Sequence, residues 1–215
     1  DPAGLPRLRQ ELARYLGRVR AVLAPPERVV VVNGFAQASR LVADVLCGGG
    51  TTCIAVEDPG SIGLRDQLTA SGLACVPVPV DGEGIQVDAL AASGVRAVVV
   101  TPAHQFPTGA VTSPARRHAL LEWARSCGGL VLEDDYDAEF RYDRTPIGAL
   151  QGLGPDVVLY GGSVSKTLAP ACGSAGSSSP NTWWRCTETP STPPTSPAAC
   201  STRPRSPSCW RPARW

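Results

Sequence analysis

Six short apolar runs, separated by helical patterns, constrain the fold of this 215-residue chain more than any other feature. Continuous apolar strands without polar alternation are typical of parallel sheets that are buried on both faces. The alternation of strands with helices therefore predicts an α/β fold, a mostly parallel sheet with helices on both faces. The predicted strands are residues 29–32, 52–56, 75–80, 97–100, 130–132 and 157–160.

Helical patterns fill the segments between these runs. Leucines recur at helical spacing over about residues 5–22 and predict an amphipathic helix. Ser113 and Pro114 are typical of an N-cap and a first helical residue, and they open a helix through Cys127. Further helices are predicted across 38–46, near 62–71 and at 87–92.

Polar residues follow the strands at the point where each strand ends. Parallel strands joined by right-handed crossovers all end at one edge of the sheet. In an open α/β sheet, ligands bind outside the carboxyl ends of the strands. The sequence therefore predicts one site, built from residues 33–36, 57–59, 101–109, 133–137 and 161–166.

Composition narrows the functional class. A net charge of +1 gives no electrostatic signature of nucleic-acid binding, and no apolar run reaches the length of a membrane span. The eight cysteines form no CxxC pair and no metal-ligand spacing, which favours reduced thiols in a cytoplasmic protein. The sequence shows no signal peptide. Because it contains no Met, including at position 1, we expect that it does not begin at its natural start.

The stretch Tyr160–Thr167 carries the sharpest chemical signal. A lysine held at a strand end can lose solvation, and its lowered pKa makes it a nucleophile that forms a Schiff base with a carbonyl compound. Lys166 is the candidate, and the hydroxyl groups of Ser163 and Ser165 would suit a phosphate. The alternative is an exposed lysine in a Gly/Ser turn.

Two other stretches leave alternatives open. The acids of residues 133–137 could hold a protonated heterocyclic nitrogen or a metal, or could be a solvated loop. The backbone N–H groups of Phe35 and Ala36 start a helix and could hold a phosphate, or simply form a tight turn. His104 could be a base, a stacking ring or a structural residue.

Several long motifs in order resemble fold-type-I pyridoxal-phosphate proteins. More narrowly, residues 1–170 resemble the aminotransferase-like domain of MocR-type regulators, in which a GntR-type winged helix precedes that domain. The motifs are Gly4–Arg9, Glu57–Gly60, Thr101–Gly109, Glu133–Tyr142 and Ser163–Lys166.

The resemblance implies pyridoxal 5'-phosphate as cofactor and assigns the site residues. Lys166 would form the Schiff base, Asp134 would pair with the pyridine nitrogen, and Tyr136 would bind the ring's phenolic oxygen. The phosphate would be held by Ser163, Ser165 and the N–H groups of Phe35 and Ala36. Asp135 stays open as an alternative to Asp134.

The chain departs from this family at two places. Ser61 stands where the family usually has an aromatic residue that stacks on the cofactor ring. Residues 171–215 contain no Leu, Ile or Val but hold eight of the 21 prolines, and they predict a disordered, low-complexity tail. We interpret this tail as a misread frame after about residue 171. Codons for Cys172 onward can be chosen so that a one-base shift gives Leu-Arg-Leu-Gly-Trp-Leu-Val, with an arginine for the phosphate.

These departures predict consequences for the whole chain. The resemblance places an antiparallel strand after the lysine, between the first and the sixth predicted strand. Its loss would leave the edges of these two strands unpaired, or force them to pair with each other in a strained sheet. We expect weak or no cofactor retention, poor solubility and no activity in this form.

Two functions compete. In the first, residues 1–170 are the cofactor-binding part of a MocR-like transcriptional regulator, a homodimer when intact. The regulator would sense a small amine or amino acid, or pyridoxal phosphate itself. It would bind DNA only through an absent N-terminal winged helix, and no membrane is involved. The alternative is a class I/II aminotransferase that uses Lys166.

Overall fold

A computed structural model describes residues 2–136, 148–163 and 174–178 of the chain. The predicted α/β architecture is confirmed as an eight-stranded sheet in the order β1-β8-β7-β6-β5-β2-β3-β4. The strands are β1 Val29–Asn33, β2 Cys53–Asp58, β3 Ala74–Asp81, β4 Gly84–Ile85, β5 Ala97–Val100, β6 Leu130–Asp135, β7 Val158–Ser163 and β8 Ser174–Ser178.

Within the described residues, five α-helices alternate with the strands as the apolar periodicity predicts. The side chain of Ser113 accepts a hydrogen bond from the Arg116 N–H, which confirms it as an N-cap. No helix in the described parts of the chain is long and apolar enough to cross a membrane. The helices are α1 Pro6–Arg20, α2 Gly34–Gly48, α3 Ile62–Ala70, α4 Val87–Ala92 and α5 Pro114–Cys127.

Strand direction brings the predicted site together. Strands β7, β6, β5, β2 and β3 are mutually parallel, so their carboxyl ends share one edge. Strand β8 is antiparallel to both β1 and β7, so β1 has the same direction as the parallel set. The polar segments that follow the parallel strands therefore meet at one edge.

Strand β8 overturns one prediction. We predicted that the tail leaves the edges of β1 and β7 unpaired, but Ser174–Ser178 lies between them and pairs with both. Two facing strand edges offer backbone donors and acceptors that any non-proline segment of suitable length can satisfy. Backbone pairing therefore places a strand here although the segment has no branched aliphatic residue.

Helices cover both faces of the sheet. On one face, α2 and α3 pack against an apolar cluster that includes Leu46, Ile54, Leu68 and Leu132. On the other face, α4, α5 and the 3₁₀ turn Leu150–Gly152 pack against a second cluster. The site at the end of the strands lies between these two layers.

Helix α1 is amphipathic, but only its carboxyl end is buried. Leu16 is buried, whereas Leu5 is 72% exposed and Leu8 is 42% exposed. Arg20 lies one helical turn beyond Leu16, on the same side of the helix, and only 4% of it is exposed. The apolar stripe of α1 therefore ends in a buried charge.

Candidate functional site

A cavity of about 280 Å³ opens at the carboxyl ends of β2, β5 and β6. It lies at the edge that the sequence predicts. Its size is near the lower end of the usual range for small-molecule sites, which begins at about 300 Å³. Its wall is formed by Val56, Glu57, Gly60, Ser61, Leu64, Arg65, Val99, Val100, Thr101, Phe106, Asp134 and Tyr136.

The acidic run at the end of β6 is divided by strand alternation. Successive side chains of a strand lie on opposite faces of the sheet. Glu133 and Asp135 therefore share the face of Val131, which packs toward α4 and α5. Asp134 lies on the opposite face, with Leu132, toward α2 and α3. Only Asp134 of these three acids lines the cavity.

Asp135 is engaged in an ion pair on its own face. Its Oδ2 atom accepts hydrogen bonds from Arg20 Nε at 2.8 Å and from the Tyr160 hydroxyl at 2.7 Å. All three residues are at most 4% exposed. Burial and the neighbouring Asp135 carboxylate raise the pKa of Tyr160 well above its usual value, so it stays a donor. We call Arg20, Asp135, Tyr160 and the adjacent Glu133 the Arg20 network.

Glu133 is the most deeply buried acid of the run. Its two carboxyl oxygens accept hydrogen bonds from the N–H groups of Leu150 and Gln151, at 2.8 and 3.0 Å. Burial, and then the Asp135 carboxylate, raises the pKa of Glu133 to about 7, although these two hydrogen bonds act in the opposite direction. Glu133 therefore anchors the 3₁₀ turn Leu150–Gly152, which precedes β7, rather than facing the cavity.

Aromatic rings surround Tyr136, which follows β6. The rings of His104 and Tyr136 are stacked, with centroids 6.1 Å apart and an interplanar angle of 23°. Phe106 meets the same ring edge-on, with centroids 6.5 Å apart. Of the alternatives for His104, the geometry places it as a stacking ring. These contacts fix Tyr136 at the rim of the cavity.

The candidate phosphate residues lie on the same face as Asp134. Phe35 and Ala36 are in the first turn of α2, where backbone N–H groups have no intrahelical acceptor. A Cβ atom on Gly161 would lie 2.7 Å from the Phe35 ring, so glycine is needed there. Gly161 pairs with Asp134, and Ser163 follows two residues later on the same face.

Lys166 and Ser165 lie outside the described residues. Neither Phe35, Ala36 nor Ser163 lines the cavity, although all three belong to adjoining strand and helix ends. The structure thus brings Asp134 and Tyr136 together directly and sets the phosphate candidates beside them.

Comparison with protein families identifies the chain. The family model described as aminotransferase class I and II matches residues 1–185. The chain belongs to this family. The resemblance predicted from the sequence is therefore confirmed at the level of the aminotransferase-like domain.

Two curated relatives of this aminotransferase-family domain are named as regulators. The chain is 37% identical to the probable rhizopine catabolism regulatory protein MocR of Rhizobium meliloti, over 78% of the chain and 34% of that protein. It is 35% identical to the pyridoxine biosynthesis transcriptional regulator PdxR of Corynebacterium glutamicum, over 79% of the chain and 37% of that protein. The chain thus spans about a third of the length of these relatives.

Solved structures confirm the aminotransferase fold. α-Aminoadipate aminotransferase LysN from Thermus thermophilus, complexed with N-(5'-phosphopyridoxyl)-L-leucine, matches with a TM-score of 0.75 and 27% identity. The match covers 86% of this chain and 48% of that one. Membership of this family implies pyridoxal phosphate as cofactor, as the resemblance predicts.

The donor set fits that cofactor. A carboxylate, a phenol and apolar side chains line one cavity, and these groups suit a protonated heteroaromatic ring with a phenolic oxygen. The start of α2 lies on the same face and suits an anion. Ser61 lines the cavity, but its hydroxyl accepts from the Leu64 N–H and caps α3. Ser61 therefore offers a helix cap where the family usually has a stacking ring.

Sequence reasoning missed the charged residues that organise the site. Arg20 and Glu57 are buried, and each is bonded to residues far away in sequence. The position of Arg20 one turn after Leu16 was a usable signal, because it continues the apolar stripe. Glu57 belongs to a quoted motif, but its partners, Thr101 and Gln105, follow only from the packing of β2 against β5.

Proposed function

We propose that this chain is the pyridoxal-phosphate-binding domain of a MocR-like transcriptional regulator. The observation that supports this most is the division of the acidic run. Asp134 lines the cavity with Tyr136, whereas Asp135 is engaged by Arg20 and Tyr160. Asp134, not Asp135, is therefore the carboxylate for the pyridine nitrogen.

Each residue has a role toward the bound cofactor. Pyridoxal phosphate supplies an aldehyde and an electron-withdrawing ring. The carboxylate of Asp134 would keep the ring nitrogen protonated, because a negative charge nearby favours the cationic form. The hydroxyl of Tyr136, held by the rings of His104 and Phe106, would orient the cofactor through its phenolic oxygen.

The remaining roles concern the phosphate and the aldehyde. The N–H groups of Phe35 and Ala36, with the hydroxyl groups of Ser163 and Ser165, would bind the phosphate at the positive end of the α2 dipole. Lys166 would attach the cofactor covalently through its amine. Lys166 is the only lysine in the sequence, which makes this role open to a direct test.

The relatives support a regulator as the parent protein. The two curated relatives above are named as a probable regulatory protein and as a transcriptional regulator, and this chain corresponds to about a third of each. In the parent, a winged helix would bind DNA, the aminotransferase-like part would form a homodimer, and a small amine or amino acid would be the effector. The described cysteines are free thiols, which fits a cytoplasmic protein: Cys47, Cys53, Cys75 and Cys127.

A class I/II aminotransferase is the second candidate, and the solved structure of LysN supports it. It would use the same lysine to move an amino group between an amino acid and a 2-keto acid. Sequencing the coding region upstream of this chain distinguishes the regulator from the aminotransferase. A winged-helix domain there favours the regulator, and its absence in a complete gene favours the enzyme.

We further propose two segments, a partial aminotransferase-like domain at 1–170 and a non-native tail at 171–215. Strand β8 supports this, since residues 174–178 correspond to Leu-Gly-Trp-Leu-Val in the shifted frame, a better strand sequence than Ser-Ala-Gly-Ser-Ser. Sequencing the gene tests the proposal. A one-base shift near codon 171 should restore a long open frame, and no such frame would contradict it.

Because we expect weak cofactor retention in this form, the cofactor proposal is tested by covalent trapping, which captures a cofactor that binds weakly. The full chain is incubated with excess pyridoxal phosphate and reduced with sodium borohydride, and its peptides are mapped by mass spectrometry. We expect one labelled side chain, Lys166, and no such label in Lys166→Ala. The α-amino group at the N-terminus serves as an internal control for non-specific reaction. A folded chain labelled only at the N-terminus would contradict the proposal.

A further inference from the structure

The carboxyl group of Glu57 is a hydrogen-bond hub at the end of β2. Only 6% of Glu57 is exposed. Its Oε2 atom accepts hydrogen bonds from the Thr101 hydroxyl at 2.6 Å, from the Thr101 N–H at 3.3 Å and from Gln105 Nε2 at 3.3 Å. Both donor residues, Thr101 and Gln105, belong to the segment after β5, residues 101–112, which we call the β5 loop.

The same two donors hold the backbone of Phe106. The Phe106 N–H donates to the Thr101 hydroxyl at 3.4 Å, and Gln105 Nε2 donates to the Phe106 carbonyl at 2.7 Å. A hydroxyl group has only one proton. Because Thr101 gives this proton to Glu57, its lone pairs remain available for the Phe106 N–H. Glu57 therefore sets the direction of the bond that holds Phe106.

The β5 loop in turn forms one wall of the cavity. Gln105 Oε1 accepts from the N–H and the hydroxyl of Thr108, which closes the loop on itself. Phe106 lines the cavity and meets the Tyr136 ring edge-on. The β5 loop is fastened to the end of β2 by the Glu57 carboxyl group and by a hydrogen bond from Gln105 Nε2 to the Pro59 carbonyl at 2.8 Å. The position of the Tyr136 hydroxyl thus depends on these attachments of the loop.

We propose that Glu57 is a positioning residue, which latches the β5 loop to β2 and thereby holds Phe106 and Tyr136 at the cofactor cavity. It acts through Thr101 and Gln105. The part of the proposal that concerns the cofactor rests on the proposed function, but the latch itself is a property of the chain alone.

The second carboxyl oxygen of Glu57 permits a conservative control variant, Glu57→Gln. Among the described residues, Oε1 has no hydrogen-bond partner. In Glu57→Gln, the amide oxygen can replace Oε2, and the amide nitrogen can take the place of Oε1 without breaking a bond. The variant Glu57→Leu fills similar space but accepts no hydrogen bond. Replacing a buried charge by an apolar side chain of similar volume is often tolerated by the fold.

Amide hydrogen exchange of the full chain, without cofactor, tests the latch. In Glu57→Leu we expect exchange at Phe106 and Thr108 to rise roughly tenfold, the effect of one lost buried hydrogen bond. Exchange at Val56 in β2 and Val99 in β5 should stay unchanged. Glu57→Gln should restore slow exchange at Phe106 and Thr108. Glu122→Leu, at an exposed position of α5, should change none of these amides.

Three results would overturn the proposal: unchanged exchange at Phe106 in Glu57→Leu, a uniform rise that includes Val56 and Val99, or failure of Glu57→Gln to restore it. The borohydride label on Lys166 provides a second readout. We expect a lower yield in Glu57→Leu at subsaturating cofactor and a normal yield in Glu57→Gln. If Lys166 of the wild-type chain is not labelled, the proposed function is contradicted. The hydrogen-exchange data would still test whether Glu57 holds the β5 loop.

Discussion

On one face of β6, Asp135 and Glu133 accept hydrogen bonds from Arg20, Tyr160 and the backbone of the Leu150 turn, whereas on the other face Asp134 lines an open cavity. Three consecutive acids thus lie in two different environments. Asp135 and Glu133 stabilise the connection between α1, β6 and β7. Asp134 faces the space where a ligand can bind.

The difference follows from the geometry of a strand. A period of two sends neighbouring side chains to opposite faces, so an acidic run at a strand end cannot act as one cluster. On the α1 face, Arg20 compensates the buried charge of Asp135. On the cavity face, the charge of Asp134 is placed where it can act on a bound heterocycle. The predictions below test whether the two faces differ in this way.

Loss of Arg20 should give the largest effect on stability. The variant Arg20→Met leaves Asp135 buried without its cation, which typically costs about 3–5 kcal/mol. Urea unfolding should therefore show a much lower midpoint. Arg18→Met, at an exposed position of the same helix, is the matched control and should change stability by less than about 0.5 kcal/mol. Equal effects of the two variants would show that the Arg20 network is not a stabilising unit.

Glu133 should make the stability of the chain depend on pH. Its folded-state pKa of about 7 lies above the ordinary value of 4.5, so the folded chain binds the proton more tightly. The resulting stabilisation is present below about pH 4.5 and is lost as pH rises to about 7. It amounts to at most about 3 kcal/mol.

The pH effect is measured by urea unfolding of wild type and Glu133→Gln between about pH 4.5 and 8. The variant has no titrating group at this position, so the decline with rising pH should be smaller by the contribution of Glu133. Identical slopes in the two proteins would contradict the assignment.

Loss of the Tyr160 hydroxyl should have a smaller effect. Tyr160→Phe removes one of the two hydrogen bonds to Asp135 Oδ2 but leaves Arg20 in place. We expect a loss of about 1–2 kcal/mol in the free energy of unfolding, typical of a buried hydrogen bond to a charged group. The denaturant slope should stay constant. A loss as large as that in Arg20→Met would show that the hydroxyl, rather than the ion pair, dominates the network.

Much of the architecture could be predicted from local patterns. The buried runs fix the parallel strands, and Ser113 and the leucine spacing fix helices, because these signals depend on nearby residues alone. Strand β8 could not be predicted, since its pairing arises from the edges of β1 and β7 rather than from its own side chains.

The site was predictable only in part. That Asp134, rather than Asp135, lies on the cavity face follows from strand parity once the first residue of β6 is known. The roles of Arg20 and Glu57 could not be derived, because each depends on partners that only the tertiary fold brings near: Arg20 on Asp135, and Glu57 on Thr101 and Gln105.

The most direct test of the account compares Asp134→Asn with Asp135→Asn, by urea unfolding and by the borohydride label on Lys166. We predict that Asp134→Asn changes the free energy of unfolding by less than about 1 kcal/mol but lowers the label yield at subsaturating cofactor by roughly tenfold or more. Asp135→Asn should lose about 3 kcal/mol of stability, while its folded fraction keeps the label. The opposite pattern, with Asp134→Asn unstable but labelled and Asp135→Asn stable but unlabelled, would contradict the account.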